Sequence, residues 1–170
     1  YAAVNVSGRQ LSEPDFASMV LDSVSDAGLS PSRLLLEITE SVFIAEDESI
    51  NASLTALSRR GIRLGLDDFG TGYSSLAYLG TLPIDSLKID RSFVEKLDRP
   101  ESRAILSSIE QLSRTLNLTT CVEGVETVAQ FEHIRTLGID LCQGYLFSKP
   151  KPFSELSFDD HAMQRTLNAA

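Results

Sequence analysis

Two adjacent carboxylates, Asp67 and Asp68, end an apolar run and are followed at once by the segment Phe69-Gly70-Thr71-Gly72. Successive side chains on a strand point to opposite faces, so two acids at a strand's end either diverge or share a counter-ion. Held close together without a cation they would repel, and one would keep its proton. Carboxylate oxygens are the preferred ligands of hard cations such as Mg²⁺. A solvated turn is the alternative for this pair, since Asp and Gly are common turn residues.

The same arrangement recurs along the chain, where short apolar runs end on side chains able to bind a metal or a phosphate. This recurrence favours a metal or phosphate site more strongly than the Asp-Asp pair does alone. The six polar ends are, in order, Asn5-Val6-Ser7, Glu37-Ile38-Thr39-Glu40, Asp67-Asp68, Lys88-Ile89-Asp90, Glu123-Gly124-Val125-Glu126 and Gln143-Gly144-Tyr145.

Amphipathic stretches alternate with these runs and predict helices. Alternating strands and helices predict parallel pairing with right-handed crossovers, in an open doubly wound sheet or a (β/α)8 barrel. Polar residues at nearly every strand end favour the barrel, because all its loops converge on one site, whereas an open sheet collects them at one switch point. The expected helices span residues 14–27, 47–60, 74–82, 101–117 and 127–137, with a last one from about residue 158 to the end.

The length limits how much of such a barrel the sequence holds. A complete (β/α)8 barrel takes about 250 residues, whereas this sequence has 170 and begins at Tyr1, almost inside a strand. We therefore expect an α/β fold, a TIM-like (β/α)8 barrel in the form of an incomplete fragment with about six βα units. The expectation is one domain over residues 1–170, with the first two βα units missing. Unpaired strand edges would then favour dimerisation, exchange of elements between chains, or aggregation.

Composition excludes some classes of partner. A net charge of −9 and a pI near 4.7 argue against a general nucleic-acid or anionic-membrane surface, but not against one small phosphorylated ligand bound with metals. No apolar stretch reaches the roughly 18 residues of a membrane span. Cys121 and Cys142 are expected to be small core residues in a reducing compartment rather than a disulfide.

Taken in order, these motifs resemble the EAL-domain family, bacterial phosphodiesterases that cut cyclic di-GMP to the linear dinucleotide pGpG. The resemblance runs from about Ala2 to Pro152, and its most diagnostic part is the ten-residue string DDFGTGYSSL at residues 67–76. It implies a divergent (β/α)8 barrel with two Mg²⁺ or Mn²⁺ ions at the carboxyl ends of the strands. It also implies a signalling domain that lies in the cytoplasm and forms a homodimer.

The resemblance assigns metal ligands by position. Asn5, Glu37 and Asp67 would hold one ion, and Asp67 would bridge to a second ion that Asp68 and Glu123 help to fix. Two such ions suit the hydrolysis of a phosphodiester. Catalysis would accordingly fall to Lys88, Asp67 and Glu123.

The resemblance also implies roles around the metals. Lys88 would contact the attacking water or the phosphate, and Asp90 would orient the lysine or contact the substrate. Gln143 would hydrogen-bond near the phosphate or the lysine. Glu40 would hold the loop Gly70-Thr71-Gly72 and so couple metal occupancy to a dimer interface.

One departure from the family is large, because no Glu-Ala-Leu tripeptide occurs in the 170 residues. Its glutamate completes the first metal's shell in the family, so the chain alone is expected to be a poor enzyme or none. The parent protein is expected to act on cyclic di-GMP and to carry a GGDEF or sensor domain upstream, with membrane tethering left open. The alternatives are a non-catalytic cyclic di-GMP receptor or regulatory module, and a barrel acting on another metal-bound phosphate or sugar.

Overall fold

The computed structural model describes residues 1–44, 47–70, 79–80 and 82–156. The chain divides into two compact units: the first comprises residues 1–88 and 113–119, and the second comprises residues 89–112 and 120 onward. The predicted helix at 74–82 falls mostly outside the described residues, and the predicted C-terminal helix from about residue 158 falls wholly outside them.

Parallel strands form the centre of the first unit. Strands β1, β2 and β3 pair in parallel, with Asn5 opposite Glu37 and Glu37 opposite Gly65. Their carboxyl ends therefore lie at one edge of the sheet. The strands are neighbours in chain order and span Ala2–Val6 (β1), Leu34–Thr39 (β2), Arg63–Phe69 (β3) and Ser86–Ile89 (β4).

The strands β2 and β3 are buried on both faces, as their continuous apolar sequences predict. Leu36, Ile38, Leu64 and Leu66 are each no more than 3 % exposed. Helices cover this sheet with apolar stripes at helical spacing, such as Ile50, Leu54 and Leu57. The helices of this unit are α1 (Gly8–Leu11), α2 (Phe16–Asp26), α3 (Glu40–Ile44) and α4 (Glu48–Arg59).

Two of these helices were not predicted from periodicity, because α1 and α3 are only one turn long. The capping signal for α1 is nevertheless present in the sequence. Ser7 and Gln10 form a capping box, in which Ser7 N–H donates to Gln10 Oε1 at 3.0 Å. Such a reciprocal pair satisfies two amides at a helix start.

The second unit repeats the strand–helix pattern. Strands β5 (Thr119–Val122) and β6 (Leu141–Cys142) pair in parallel, with Val122 opposite Cys142. Between them lies α6 (Val128–Leu137), which starts at a Thr127–Gln130 capping box and ends at Gly138 with φ 82°. The long helix α5 (Pro100–Thr115) precedes β5.

Aspartates just before β4 and β6 hydrogen-bond to the neighbouring strands β3 and β5. In the first unit, Leu64 N–H donates to Asp85 Oδ2 at 2.8 Å. In the second unit, Thr120 donates its N–H and its hydroxyl to Asp140 Oδ2 at 2.8 and 2.9 Å. Because these bonds set where adjacent strands begin, they also set which residues end together.

The predicted α/β architecture is confirmed: the described residues form six strands, helices lie between most of them, and β1–β2, β2–β3 and β5–β6 pair in parallel. Cys121 and Cys142 are not joined in a disulfide, and both are half-buried rather than fully buried core residues. Burial raises the pKa of the Cys142 thiol above its usual value. No helix in the described part of the chain is long and apolar enough to cross a membrane.

Candidate active site

Four predicted site residues meet at the carboxyl edge of the first unit. Asn5, Glu37, Asp67 and Lys88 come from β1, β2, β3 and β4. Lys88 Nζ donates to Glu37 Oε2 at 2.9 Å and lies 3.4 Å from Asp67 Oδ1. The parallel register brings these residues together, although they are separated by up to 83 positions in the sequence (88 − 5).

The Asn5 side chain reaches both carboxylates. With its amide nitrogen facing them, it donates to Asp67 Oδ2 at 3.1 Å and to Glu37 Oε2 at 3.3 Å. Turning the amide over places its oxygen at the same point. That oxygen then lies 3.1 Å from Asp67 Oδ2 and 3.3 Å from Glu37 Oε2, close to the ~3 Å edge of an octahedron built from ~2.1 Å metal–oxygen bonds. The donor set therefore fits a hard divalent cation.

Carboxylates alone do not make this site. Among the residues that the structure describes, no group of three or more His, Cys, Asp and Glu side chains is placed to hold a metal ion. The candidate set is instead one amide oxygen and two carboxylates, with the Lys88 ammonium beside them. An amide carbonyl is a suitable oxygen ligand for Mg²⁺ or Mn²⁺.

The charged side chains of Glu37, Asp67 and Lys88 are largely shielded from water, so each negative charge needs a positive charge nearby. Asp67 and Lys88 are each 8 % exposed, and Glu37 is half-buried. An uncompensated buried charge is expensive, so a cation within 3.4 Å of both carboxylates stabilises them. Lys88 supplies that compensation in this structure.

Asp68 departs from strand geometry. Its φ is +55°, a left-handed conformation that non-glycine residues seldom adopt, and its side chain is exposed. Its N–H donates to Asp67 Oδ1 at 2.9 Å. The strand β3 was expected to end at the acids, but it extends to Phe69, and the left-handed residue sits within it. Such outliers often occur at functional sites.

These residues line one cleft. Its volume is about 790 Å³, and Asn5, Glu37, Asp67 and Asp68 all contribute to its wall. Asp47 lies there too, and the hydroxyl and amide of Ser49 hold the pKa of this carboxyl below its usual value. Further polar lining comes from Ser7, Gln10, Ser12, Thr39 and Ser41.

Two other predicted residues meet in the second unit. Gln143 Nε2, just after β6, donates to Glu123 Oε1, just after β5, at 2.7 Å. The adjacent glycines permit this approach: a Cβ on Gly144 would lie 2.1 Å from Val125 O, and one on Gly124 would lie 2.5 Å from Arg91 Cβ. Both residues line a cleft of about 610 Å³.

Asp90 has a local structural role. It caps the short 3₁₀ turn Arg91–Phe93 by accepting the Ser92 N–H at 3.0 Å. Burial raises its pKa, but hydrogen bonds from the Ser92 hydroxyl and amide and from the Arg91 amide, together with the Arg91 charge, outweigh this, so the pKa is lowered. Its predicted contact with Lys88 or substrate stays a prediction.

The structure describes only part of the loop Gly70-Thr71-Gly72, which was predicted to couple metal occupancy to a dimer interface. Glu40 is half-buried and starts α3. Gly70 is exposed, whereas Thr71 and Gly72 lie outside the described residues. The role predicted for Glu40 with this loop therefore stays a prediction.

Sequence reasoning missed the cations of the second cleft. Arg91, Lys149 and Lys151 line it together with Glu123 and Gln143. The signal was the alternation Lys149-Pro150-Lys151-Pro152, which follows the last motif directly. Prolines restrict the backbone, and so such a segment presents its lysines in a limited set of positions.

The comparison with known families decides the identity of the fold. The EAL domain family matches residues 2–150. The chain belongs to the EAL domain family. It is 43% identical over 155 residues to the bifunctional diguanylate cyclase/cyclic di-GMP phosphodiesterase MucR of Pseudomonas aeruginosa, covering 91% of this chain and 23% of that protein. It spans about a fifth of the length of the curated relatives it matches first, at 19% and 23%.

Solved EAL structures have the same fold. The phosphodiesterase of PaMucR, solved as a c-di-GMP complex, aligns with a TM-score of 0.85 at 42% identity, over 91% of this chain and 63% of that one. BlrP1 of Klebsiella pneumoniae, solved as a manganese/cy-diGMP complex, aligns with a TM-score of 0.82 at 35% identity, over 87% of this chain and 38% of that one. The predicted family and the TIM-like barrel class are confirmed.

Proposed function

We propose that this EAL-domain chain carries the metal-binding and hydrolytic residues of a phosphodiesterase that converts cyclic di-GMP to pGpG. The observation that carries the proposal is the convergence of Asn5, Glu37 and Asp67, with the Lys88 ammonium within 3.4 Å of both carboxylates. Two relatives support it: MucR is named as a cyclic di-GMP phosphodiesterase, and BlrP1 was solved in complex with manganese and cy-diGMP.

Asn5, Glu37 and Asp67 would hold one Mg²⁺ or Mn²⁺ ion through the amide oxygen and the carboxylates. Bound ions of this kind polarise a phosphoryl oxygen and lower the pKa of a bound water, which makes it a nucleophile near neutral pH. Asp68 and Glu123 stay predicted ligands of a second ion. The left-handed Asp68 supports the first site directly, because its amide orients Asp67 Oδ1.

Lys88 supplies positive charge where the phosphate would gain negative charge. Its ammonium has three donors and is held by Glu37 and Asp67. A fixed donor aimed at developing charge needs little reorganisation during the reaction and can lower the barrier by several kcal/mol, roughly 3–4 for one lost donor. Lys88 therefore donates to a phosphate oxygen or to the attacking water.

Gln143 positions Glu123 in the second unit. The 2.7 Å hydrogen bond from the Gln143 amide to Glu123 Oε1 restricts the rotation of that carboxylate. A fixed carboxylate loses less entropy when it binds a cation or a substrate proton. The substrate contact predicted for Gln143 would thus act together with this orienting role.

The 170 residues alone are proposed to bind metal yet to hydrolyse slowly, because they contain no Glu-Ala-Leu tripeptide. The family resemblance places a further carboxylate of the first ion there. A cytoplasmic location, a homodimer and a linked GGDEF or sensor domain are proposed on the same resemblance.

Exchange into MucR tests the proposal. Residues 2–150 of this chain replace the matching part of the MucR phosphodiesterase, and conversion of cyclic di-GMP to pGpG is followed with and without Mg²⁺ or Mn²⁺. We expect metal-dependent pGpG formation that is lost in Glu37→Gln and Asp67→Asn but kept in the control Lys96→Gln. Tight cyclic di-GMP binding without turnover would instead establish the receptor alternative.

A further inference from the structure

A glycine lies inside strand β3, two residues before the candidate metal ligand Asp67. Gly65 is buried, and its φ is not positive, so the backbone conformation there does not require glycine. Glycine inside a strand weakens it, because it loses more backbone entropy than other residues and packs no side chain. The reason for this glycine therefore lies in the space around it.

Neighbouring side chains fill the space that a side chain at position 65 would take. A Cβ on Gly65 would lie 2.8 Å from Ser86 Oγ, 3.4 Å from Leu35 Cδ1 and 3.7 Å from Glu37 Cγ. Real Cβ atoms essentially never show a contact under 3.0 Å. Ser86 and Leu35 are both buried, so neither side chain extends into solvent. The absent side chain thus makes room for the Ser86 hydroxyl.

Gly65 and Ser86 lie on the same face of the sheet as the candidate site residues. Side chains alternate along a strand, so Gly65 shares a face of β3 with Asp67. Ser86 shares a face of β4 with Lys88 for the same reason. Glu37 of β2 lies opposite Gly65 in the register. The pair therefore lies one layer below these three side chains, nearer the amino ends of the strands.

Two reciprocal hydrogen bonds hold β3 and β4 together at this level. Leu64 N–H donates to Asp85 Oδ2 at 2.8 Å, and Asp85 N–H donates to Leu64 O at 2.8 Å. Leu64 and Asp85 directly precede Gly65 and Ser86 in the sequence, so the strands cannot readily separate at this point. A side chain at position 65 would instead displace the Ser86 hydroxyl toward the side chains one layer above.

We propose that Gly65 and Ser86 are positioning residues, which hold Glu37 and Lys88 in the geometry that binds a metal ion and a phosphate. The inference rests on the proposed function and gives a role to two residues that the motifs left without one. With no side chain at position 65, the Ser86 hydroxyl occupies that space. The Glu37 carboxylate and the Lys88 ammonium can then meet at 2.9 Å.

A double-mutant cycle at the two positions tests the proposal, with Mn²⁺ affinity measured by calorimetry on the purified chain. Gly65→Ala adds one carbon 2.8 Å from Ser86 Oγ. It should weaken Mn²⁺ binding about tenfold or more, as for other residues that orient metal ligands. Gly65→Ala/Ser86→Ala removes that oxygen and keeps the number of side-chain heavy atoms. Such volume-conserving changes are tolerated best, so the double variant should regain most of the lost affinity.

A metal-free measurement separates the positioning role from the proposed hydrolysis. In crystals of Gly65→Ala grown with EDTA, Lys88 Nζ should lie beyond hydrogen-bond distance of Glu37 Oε2, which it contacts at 2.9 Å in the wild type. The double variant should regain this contact. Where Gly65→Ala does not fold, the expected result is that the double variant recovers both folding and the contact.

Gly80→Ala is the matched control, because Gly80 is exposed, its φ is not positive, and no atom of the described residues lies within 4 Å of its Cβ position. It should change neither the Mn²⁺ Kd nor the Lys88–Glu37 distance. An unchanged distance in Gly65→Ala, or a loss that the double variant does not recover, would overturn the proposal. No Mn²⁺ binding by the wild type would count against the proposed function, whereas the EDTA crystals would still decide the positioning role.

Discussion

The Lys88 ammonium donates a 2.9 Å hydrogen bond to Glu37 Oε2 and lies 3.4 Å from Asp67 Oδ1. The lysine thus occupies the neighbourhood of the oxygens that are proposed to hold a divalent ion. A cation in this place stabilises two carboxylates in the absence of metal and weakens their attraction for it. Lys88 therefore links the stability of the fold to metal binding and to the chemistry.

Replacing Lys88 by Met should lower the free energy of unfolding in EDTA by about 3 kcal/mol, because it leaves two largely buried carboxylates without a counter-ion. Saturating Mn²⁺ should reduce this deficit, since the metal replaces the lost charge. Urea unfolding of Lys88→Met and the exposed control Lys96→Met, with and without Mn²⁺, measures both effects. An equal deficit with and without Mn²⁺ would contradict the proposed site.

The same Lys88→Met change should leave Mn²⁺ affinity unchanged or raised, since it removes a positive charge close to the ligands. Turnover in the MucR exchange protein should fall by about 100- to 1,000-fold, as for loss of one donor to developing charge. Calorimetry with Mn²⁺ and a pGpG assay give the two values. Lost metal affinity with normal turnover would reverse the roles assigned here.

Asp67→Ala should abolish Mn²⁺ binding and turnover together, because Asp67 offers oxygens toward both Asn5 and Lys88. Metal stabilises the folded wild type by about 2.7 kcal/mol at a concentration 100 times its Kd. The variant should show no such gain. Thermal melting across a Mn²⁺ titration measures this, with Asp22→Ala on the exposed face of α2 as the control. A metal-dependent rise in Tm for Asp67→Ala would exclude Asp67 as a ligand.

The recurring polar strand ends and parallel pairing predicted that side chains able to bind a metal would meet at one edge. The family resemblance named Asn5, Glu37 and Asp67 as a set, and the structure brings their side chains within hydrogen-bond distance. The left-handed Asp68 could not be predicted, because strand patterns assume ordinary backbone geometry and a tertiary hydrogen bond decides otherwise. The direct Lys88 ion pairs were missed because they depend on how far a long side chain reaches.

In the fold too, some elements were predicted from the sequence and others were not. The helix α4 was predicted within one residue at each end from its apolar spacing and Gly61, and the structure adds that Asp47 caps its start. The one-turn helices α1 and α3 have too few residues for periodicity to detect. The strand-start bonds of Asp85 and Asp140 were also missed, although an Ile-Asp pair precedes both β4 and β6.

Asp140→Ala should destabilise the chain by about 1–3 kcal/mol, since it leaves the Thr120 N–H without its acceptor and Thr120 is 1% exposed. Chemical unfolding measures the loss. The exposed Asp22→Ala should change the unfolding free energy by no more than about 0.5 kcal/mol. An effect of Asp140→Ala as small as that of the control would show that strand-start bonds contribute little.

Asp90 should make stability depend on pH in the acid range. Its folded pKa lies below that of an ordinary aspartate, so its contribution is fully present above the ordinary, unfolded pKa. It is lost as the pH falls through the lowered folded pKa. Unfolding free energies of the wild type and Asp90→Asn should differ at pH 6, and the difference should shrink as the pH falls below the ordinary aspartate pKa. A gap that stayed constant over this range would contradict the assignment.

A crystal of this chain grown with Mn²⁺ tests the central claim most directly through its anomalous difference map. The account predicts a peak at bonding distance from the Asn5 amide oxygen and from carboxylate oxygens of Glu37 and Asp67, beside the Lys88 ammonium. No peak at these three side chains at saturating Mn²⁺, or a peak bound only elsewhere, would contradict it.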